Sequence, residues 1–221
     1  MDRFTDMQNL PKPVREHGFE ADFAYGPPSA FLAINYAPQV GRLYVDRFGR
    51  EREDSFIIDG SERELISINI WDVVAGKYYG LAPTEKRVFE DPIDPREGRG
   101  SLAITWPGVT MFVLPRHFPS EGKIIEIKQS EGKIVETKQI EGLTCRGSII
   151  KGNGTDIHPS FVIECWYAEK IAYVVLVNAA WKLADGKKAE TTFRLSKIHL
   201  REPDPKLFQV PADYKPAILK N

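Results

Sequence analysis

The chain has 221 residues, 42% of them hydrophobic and 11% aromatic, with 30 Lys and Arg set against 31 Asp and Glu for a net charge of -1. That supplies the core of one β domain, and it leaves no clustered basic charge with which to hold nucleic acid or an anionic membrane surface. No apolar run approaches the roughly 20 residues of a membrane-spanning helix.

Residues 1–29 are polar and interrupted by Pro11, Pro13, Pro27 and Pro28. They are read as an N-terminal arm with at most one short helix, ahead of a single antiparallel β domain over 30–221. The first residues also lack the charged start and apolar run of a signal peptide. A cytoplasmic protein, or a periplasmic or secreted one whose leader has been removed, both fit that beginning. The period-2 pattern starts at "FLAINYA" (31–37). Residues 41–59 then predict a hairpin turning at the glycine of "RFGRE". "ELISINIWDV" (64–73) is a strand with one apolar face. Strands at 76–82 and 86–90 predict a second hairpin around Pro83 and Thr84. Residues 91–108 are rich in Pro and Gly and read as a loop. "VTMFVL" (109–114) is again a strand.

The stretch "EGKIIEIKQSEGKIVETKQIEG" (121–142) nearly repeats itself. As a helix it is poor, because each interior glycine costs about 1 kcal/mol relative to alanine. As strands it alternates, so 123–128 and 133–139 are expected to pair as a hairpin joined near Ser130 to Gly132. A charged platform for a partner and a helical pair are the other two readings. Strands follow at 143–152, 160–168, 171–180 and 189–200, with a tight turn at Glu169 and Lys170. The tail "REPDPKLFQVPADYKPA" has four prolines, which exclude an interior strand or helix. It predicts an extended C-terminal strap pinned by Leu207, Phe208 and Tyr214. The fold expected is mainly β with little helix: a single antiparallel sheet of ten or more strands, curled into a half-barrel or open barrel.

Several stretches in this order resemble a family of uncharacterised secreted bacterial proteins: "YVDRFGREREDSFII", "ISINIWDVVAGKYYGLAPTEKRVF", "IEGLTCRGSIIKG", "VIECWYAEKIAYVVLV" and the closing "TTFRLSKIHLREPDPKLFQVPADYKP". The closing motif E-P-D-x-x-L-F-x-x-P-x-D-Y stands almost complete and is the most specific of them. That family is remotely similar to the outer-membrane lipoprotein carriers. The resemblance implies a curled sheet that holds a lipid or other apolar ligand without catalysis.

The residues themselves offer little chemistry. His17, His117, His158 and His199 show no metal-ligand spacing, so neither a metal nor a cofactor is expected. His158, in "TDIHPS", is the best of them for handling a proton. No nucleophile elbow or phosphate loop is present. If the scaffold were instead a cofactor-free enzyme, as in one pigment-biosynthesis family that such half-barrels resemble, His158, Glu164 and Tyr167 would be its candidate groups. An envelope protein that docks a partner at a sheet edge is the third reading. For a bound apolar molecule, Trp71, Tyr79, Phe112, Trp166, Tyr173 and Trp181 are the expected lining. Cys145 and Cys165 lie on two strands of one hairpin whose loop centres near Thr155. Positions summing to about 310 would face each other there, which makes the two cysteines cross-strand neighbours. A disulfide in an exported chain, two reduced core thiols and a reactive thiol are all open.

Overall fold

The computed structural model describes residues 13–26, 40–59, 61–93, 101–106, 109–115, 130–152, 160–182 and 188–217. Its fold is mainly β, a single curled and open antiparallel sheet, and no α-helix occurs among the described residues. The strands are β1 (Phe19–Tyr25), β2 (Val40–Val45), β3 (Glu51–Asp59), β4 (Glu62–Asp72), β5 (Lys77–Ala82), β6 (Arg87–Pro92), β7 (Ser101–Trp106), β8 (Val109–Pro115), β9 (Ser130–Ile140), β10 (Leu143–Gly152), β11 (Ser160–Ala168), β12 (Tyr173–Lys182), β13 (Lys188–His199) and β14 (Lys215–Pro216). Twelve of them form one sheet in the order β14-β6-β5-β4-β3-β2-β1-β13-β12-β11-β10-β9, while β7 and β8 pair as a hairpin of their own.

The order shows how the chain runs. It starts at the middle of the sheet with β1 and meanders outward to β6. It re-enters at the far edge with β9 and meanders inward until β13 lies against β1. Every pairing is antiparallel except that of β14 on β6. Short turns make such a meander straightforward to close. At the β2–β3 turn, Asp46 Oδ1 accepts the amides of Phe48 (2.9 Å) and Arg50 (2.8 Å), and Gly49 takes the left-handed φ of 86°. At the β9–β10 turn, Glu141 and Gly142 have φ of 50° and 76°, the paired positive angles of a two-residue turn whose twist matches its strands.

Three expectations need correction. Residues 19–25 are not part of an arm. The odd positions of "FEADFAY" are all apolar or aromatic, and Phe19, Ala21 and Phe23 are buried at the centre of the sheet. The 91–108 segment is not a continuous loop, because β6 runs to Pro92 and β7 begins at Ser101. The repeat does not turn at Ser130 to Gly132. These residues open β9 and pair with Gly152, Lys151 and Ile150 of β10, and the turn is the third Glu-Gly instead. Residues 123–128 and 31–37 lie outside the described residues.

The tail behaves as its prolines require. Glu202 accepts the amide of Gly18 (2.9 Å) and that of Arg47 (3.2 Å), which starts the strap across the β1–β2 end of the sheet. A 3-10 turn at Pro205–Phe208 follows, capped by the Asp204 carboxylate. Phe208 is 1% exposed and completes a small core with Ile68, Ile70 and Leu81, onto which Leu207 and Tyr214 pack. The Lys215 amide then donates to the Lys86 carbonyl (2.9 Å) and the Ala217 amide to that of Val88 (2.8 Å), which fixes β14 at the edge.

Candidate functional site

Strand register decides which side chains share a face. One row across the sheet is Phe19, Val45, Glu51, Trp71, Tyr78 and Asp91. The next is Ala21, Leu43, Glu53, Asn69, Gly80 and Phe89. On the other side of β1 the same face continues through Tyr25, Phe193, Val177 and Cys165. This face is thus apolar from β11 to β2 and becomes polar and aromatic from β3 to β6.

The two zones differ in access as well. Phe19, Ala21, Phe23, Leu43, Val45, Val177 and Leu195 are at most 2% exposed, so the apolar middle is closed by the chain's own packing. Glu51 is buried with it, 1% exposed, and its Oε1 accepts the Tyr173 hydroxyl at 3.2 Å. Arg15 is also buried. Burial lowers its pKa, and the charge of Glu51 is the strongest pull in the other direction. Toward β6 the face opens. Asn69, Trp71 and Tyr78 are half-buried, and Phe89 is 43% exposed. The Tyr78 hydroxyl donates to Asn69 Oδ1 at 2.7 Å, its ring lies 5.4 Å from Trp71, and burial holds its pKa above the usual phenol value. Gly80, paired with both Asn69 and Phe89, carries no side chain of its own and is covered by Tyr78, whose hydroxyl lies 3.1 Å from where a Cβ would stand.

The expected lining residues do not converge on one place. Trp71 and Tyr173 are on the face just described. Tyr79 is on the opposite one, under the strap beside Ile70 and Leu81. Trp166 is also opposite: its ring lies on Gly147, where a Cβ would come within 2.8 Å of it, and Lys138 Nζ is 3.6 Å from the ring centroid. Trp181 pairs in β12 with Phe161 and Ala189, Phe112 belongs to β8, and the side chains of both lie outside the description. Asn69, Tyr78, Gly80 and Phe89 are not among the six residues of the expected lining. The signal available was the polar alternation of Glu51, Glu53 and Ser55 beside Ser67 and Asn69.

The two candidate catalytic groups that are described, Glu164 and Tyr167, have different partners. His158 lies outside the described residues. The Glu164 carboxylate accepts from Asn178 Nδ2 (3.2 Å) and Trp166 Nε1 (2.6 Å), and the Asn178 bond is the largest cause of its lowered pKa. A carboxylate held ionised in this way is a poor proton donor. Tyr167, three residues on, sits near Arg15, and burial raises its pKa. Among the described residues, no group of three or more His, Cys, Asp and Glu could hold a metal ion.

The cysteine register also needs correction. Cys145 stands opposite Ala168 and Cys165 opposite Ser148, so the two are three positions out of step, and both are free and buried thiols. Burial pushes the Cys165 pKa up to about 12 and also raises that of Cys145. Thiolate is the reacting form. Native protein at pH 8 is therefore expected to give almost no reaction with a thiol reagent, and both cysteines to react once the chain is unfolded. Fast labelling of the native protein would contradict this burial.

No family model matches the chain, and no curated protein matches it. Among solved structures it is similar to a chain of the Pseudomonas aeruginosa MucA/MucB complex, with 12% identity and a TM-score of 0.48, covering 91% of this chain and 58% of that one. It is also similar to a LolA superfamily protein from Nitrosomonas europaea, with 12% identity, a TM-score of 0.32 and coverage of 89% and 92%. A DUF1329 family protein from Desulfovibrio piger matches with 9% identity, a TM-score of 0.36 and coverage of 90% and 91%. The chain spans somewhat more than half the length of the MucB chain.

Proposed function

We propose that the protein is a non-catalytic binding protein, and that it holds an amphipathic molecule such as a lipid or acyl chain against the sheet at β4 to β6. The observation that carries this reading is the half-exposed surface of Trp71, Tyr78, Gly80 and Phe89 on a face otherwise closed by packing. An apolar chain lying over the exposed parts of Trp71, Tyr78 and Phe89 gains roughly 25 cal/mol for each Å2 of apolar surface removed from water. The Asn69 amide and the Tyr78 hydroxyl supply the few polar contacts that fix orientation in such a site. The apolar middle of the sheet serves as the foundation rather than the pocket. Glu164 and Tyr167, held apart with different partners, give a catalytic reading no support.

A fluorescent fatty acid tests the proposal. Saturable binding is expected, and Gly80→Leu, whose side chain would push the Tyr78 ring out of its place, should abolish it while circular dichroism stays unchanged. Saturable binding that survives Gly80→Leu in a folded protein would remove this site from consideration.

A further inference from the structure

A second site lies on the opposite face of the sheet, and it belongs to no part of the binding surface just described. There a pocket of about 230 Å3 is lined by Ala21, Asp22, Arg42, Arg63, Lys197 and His199. Four strands build it: Ala21 and Asp22 from β1, Arg42 from β2, Arg63 from β4, and Lys197 and His199 from β13. We propose that this pocket binds a phosphate group.

Charge is the first reason. Three permanent cations line the pocket against one carboxylate, Asp22, which Lys197 Nζ meets at 2.9 Å. Glu20, an acid beside Arg42, is held by a two-pronged contact from Arg201, with Nε at 2.9 Å and Nη2 at 2.6 Å, and Asp54 by Arg52. Arg42 lines the pocket between Asp22 and Asp54, its partners on the neighbouring strands, and meets Glu20 at 3.6 Å, an ion pair outside hydrogen-bond range. Arg63 lies with its guanidinium 4.5 Å from the Phe56 ring centroid, a stacking that holds the planar group while leaving its N–H edges for another acceptor. Planar donor forks from two arginines beside an ammonium group suit the several oxygens of a phosphate better than a lone carboxylate.

Backbone geometry is the second reason. The β1–β13 register slips between Glu20 and Asp22: Glu20 faces His199 and Asp22 faces Ser196. The bulge falls at Lys197, whose φ of 51° is left-handed, where a residue with a Cβ is strained. The Glu141 carboxylate accepts the Lys197 amide at 3.1 Å and so holds the bend. A glycine would relieve the strain at this position, yet the chain keeps a lysine, whose amine meets Asp22 of the pocket lining. Strain of this kind concentrates at binding sites.

The phosphate could be free or could belong to a lipid headgroup, and the test separates the two. Calorimetry with inorganic phosphate is expected to show saturable binding that weakens about tenfold in Arg42→Gln and again in Arg63→Gln. Co-sedimentation is run in parallel with phosphatidylcholine vesicles, with and without phosphatidic acid. Retention on the phosphatidic acid vesicles alone, lost in the same variants, assigns the phosphate to a lipid; binding of free phosphate without vesicle retention assigns it to a soluble ligand. Lys197→Gly gives a readout that a purely structural role would not: it should raise the melting temperature and weaken phosphate binding together. Absence of saturable binding in both arms, or binding unchanged by all three substitutions, would overturn the proposal.

Discussion

A Gly41→Ala protein is expected to lose a large part of its folding stability. Gly41 lies in β2, paired with Phe23 of β1 on one side and Ser55 of β3 on the other. A Cβ there would overlap the Phe23 ring and the Asp54 carbonyl oxygen. The ring cannot retreat, because Phe23 is 2% exposed and packs in the main core. The carbonyl cannot retreat without breaking the β2–β3 ladder. Forcing atoms into a closed core costs about 3 kcal/mol, a large share of the roughly 5–15 kcal/mol that holds a domain together. A fall in melting temperature of about 6–12 °C follows for a chain of this size. Gly76 is the control. It has a φ of 69° and nothing within 4 Å of an added Cβ, so Gly76→Ala should cost only the backbone strain, about 1 kcal/mol. Equal melting temperatures for the two variants would show that Phe23 does not lie on Gly41.

Phe208→Ala is expected to release the strap. The ring is 1% exposed among Ile68, Ile70 and Leu81, with the Arg50 guanidinium 4.9 Å from its centroid. Removing a buried phenyl group costs about 3–5 kcal/mol. Here the loss falls on one small core, which only the strap closes. The edge strand depends on it, because β14 adds only two residues to β6. Hydrogen exchange at the Lys215 and Ala217 amides should therefore accelerate toward the unprotected rate, while the amides of β12 stay protected. Uniform acceleration across the sheet would mean that the strap and the sheet unfold as one unit.

Local signals made much of this fold legible. The β2–β3 hairpin was readable because Gly49 stands where a positive φ is needed, and the strap because its prolines forbid any interior element. β1 was equally available in the alternation of "FEADFAY", but its flanking prolines and polar residues obscured it. What could not be read was parity. Register shifts between Ser55 and Phe56, between Arg146 and Ser148, and between Trp166 and Tyr167 each break the odd-even count along a strand. After such a shift, spacing alone no longer tells which face a Trp or Tyr takes. Tyr79 takes the other face because the β4–β5 register sets Tyr78 opposite Trp71, and the two cysteines miss each other because the β10–β11 register sets Cys145 opposite Ala168. The binding surface depends on the same information. It is assembled from β4, β5 and β6, and its key position, Gly80, has no side chain for a pattern to register.

The central claim is that an amphipathic molecule lies on the β4–β6 surface. Two-dimensional amide NMR of the intact protein, titrated with a fatty acid, tests it most directly. Saturable shifts confined to Asn69, Trp71, Tyr78, Gly80, Phe89 and their immediate neighbours are predicted. Shifts that are absent, or that appear at β9 to β13 while Gly80 and Phe89 stay fixed, would contradict it.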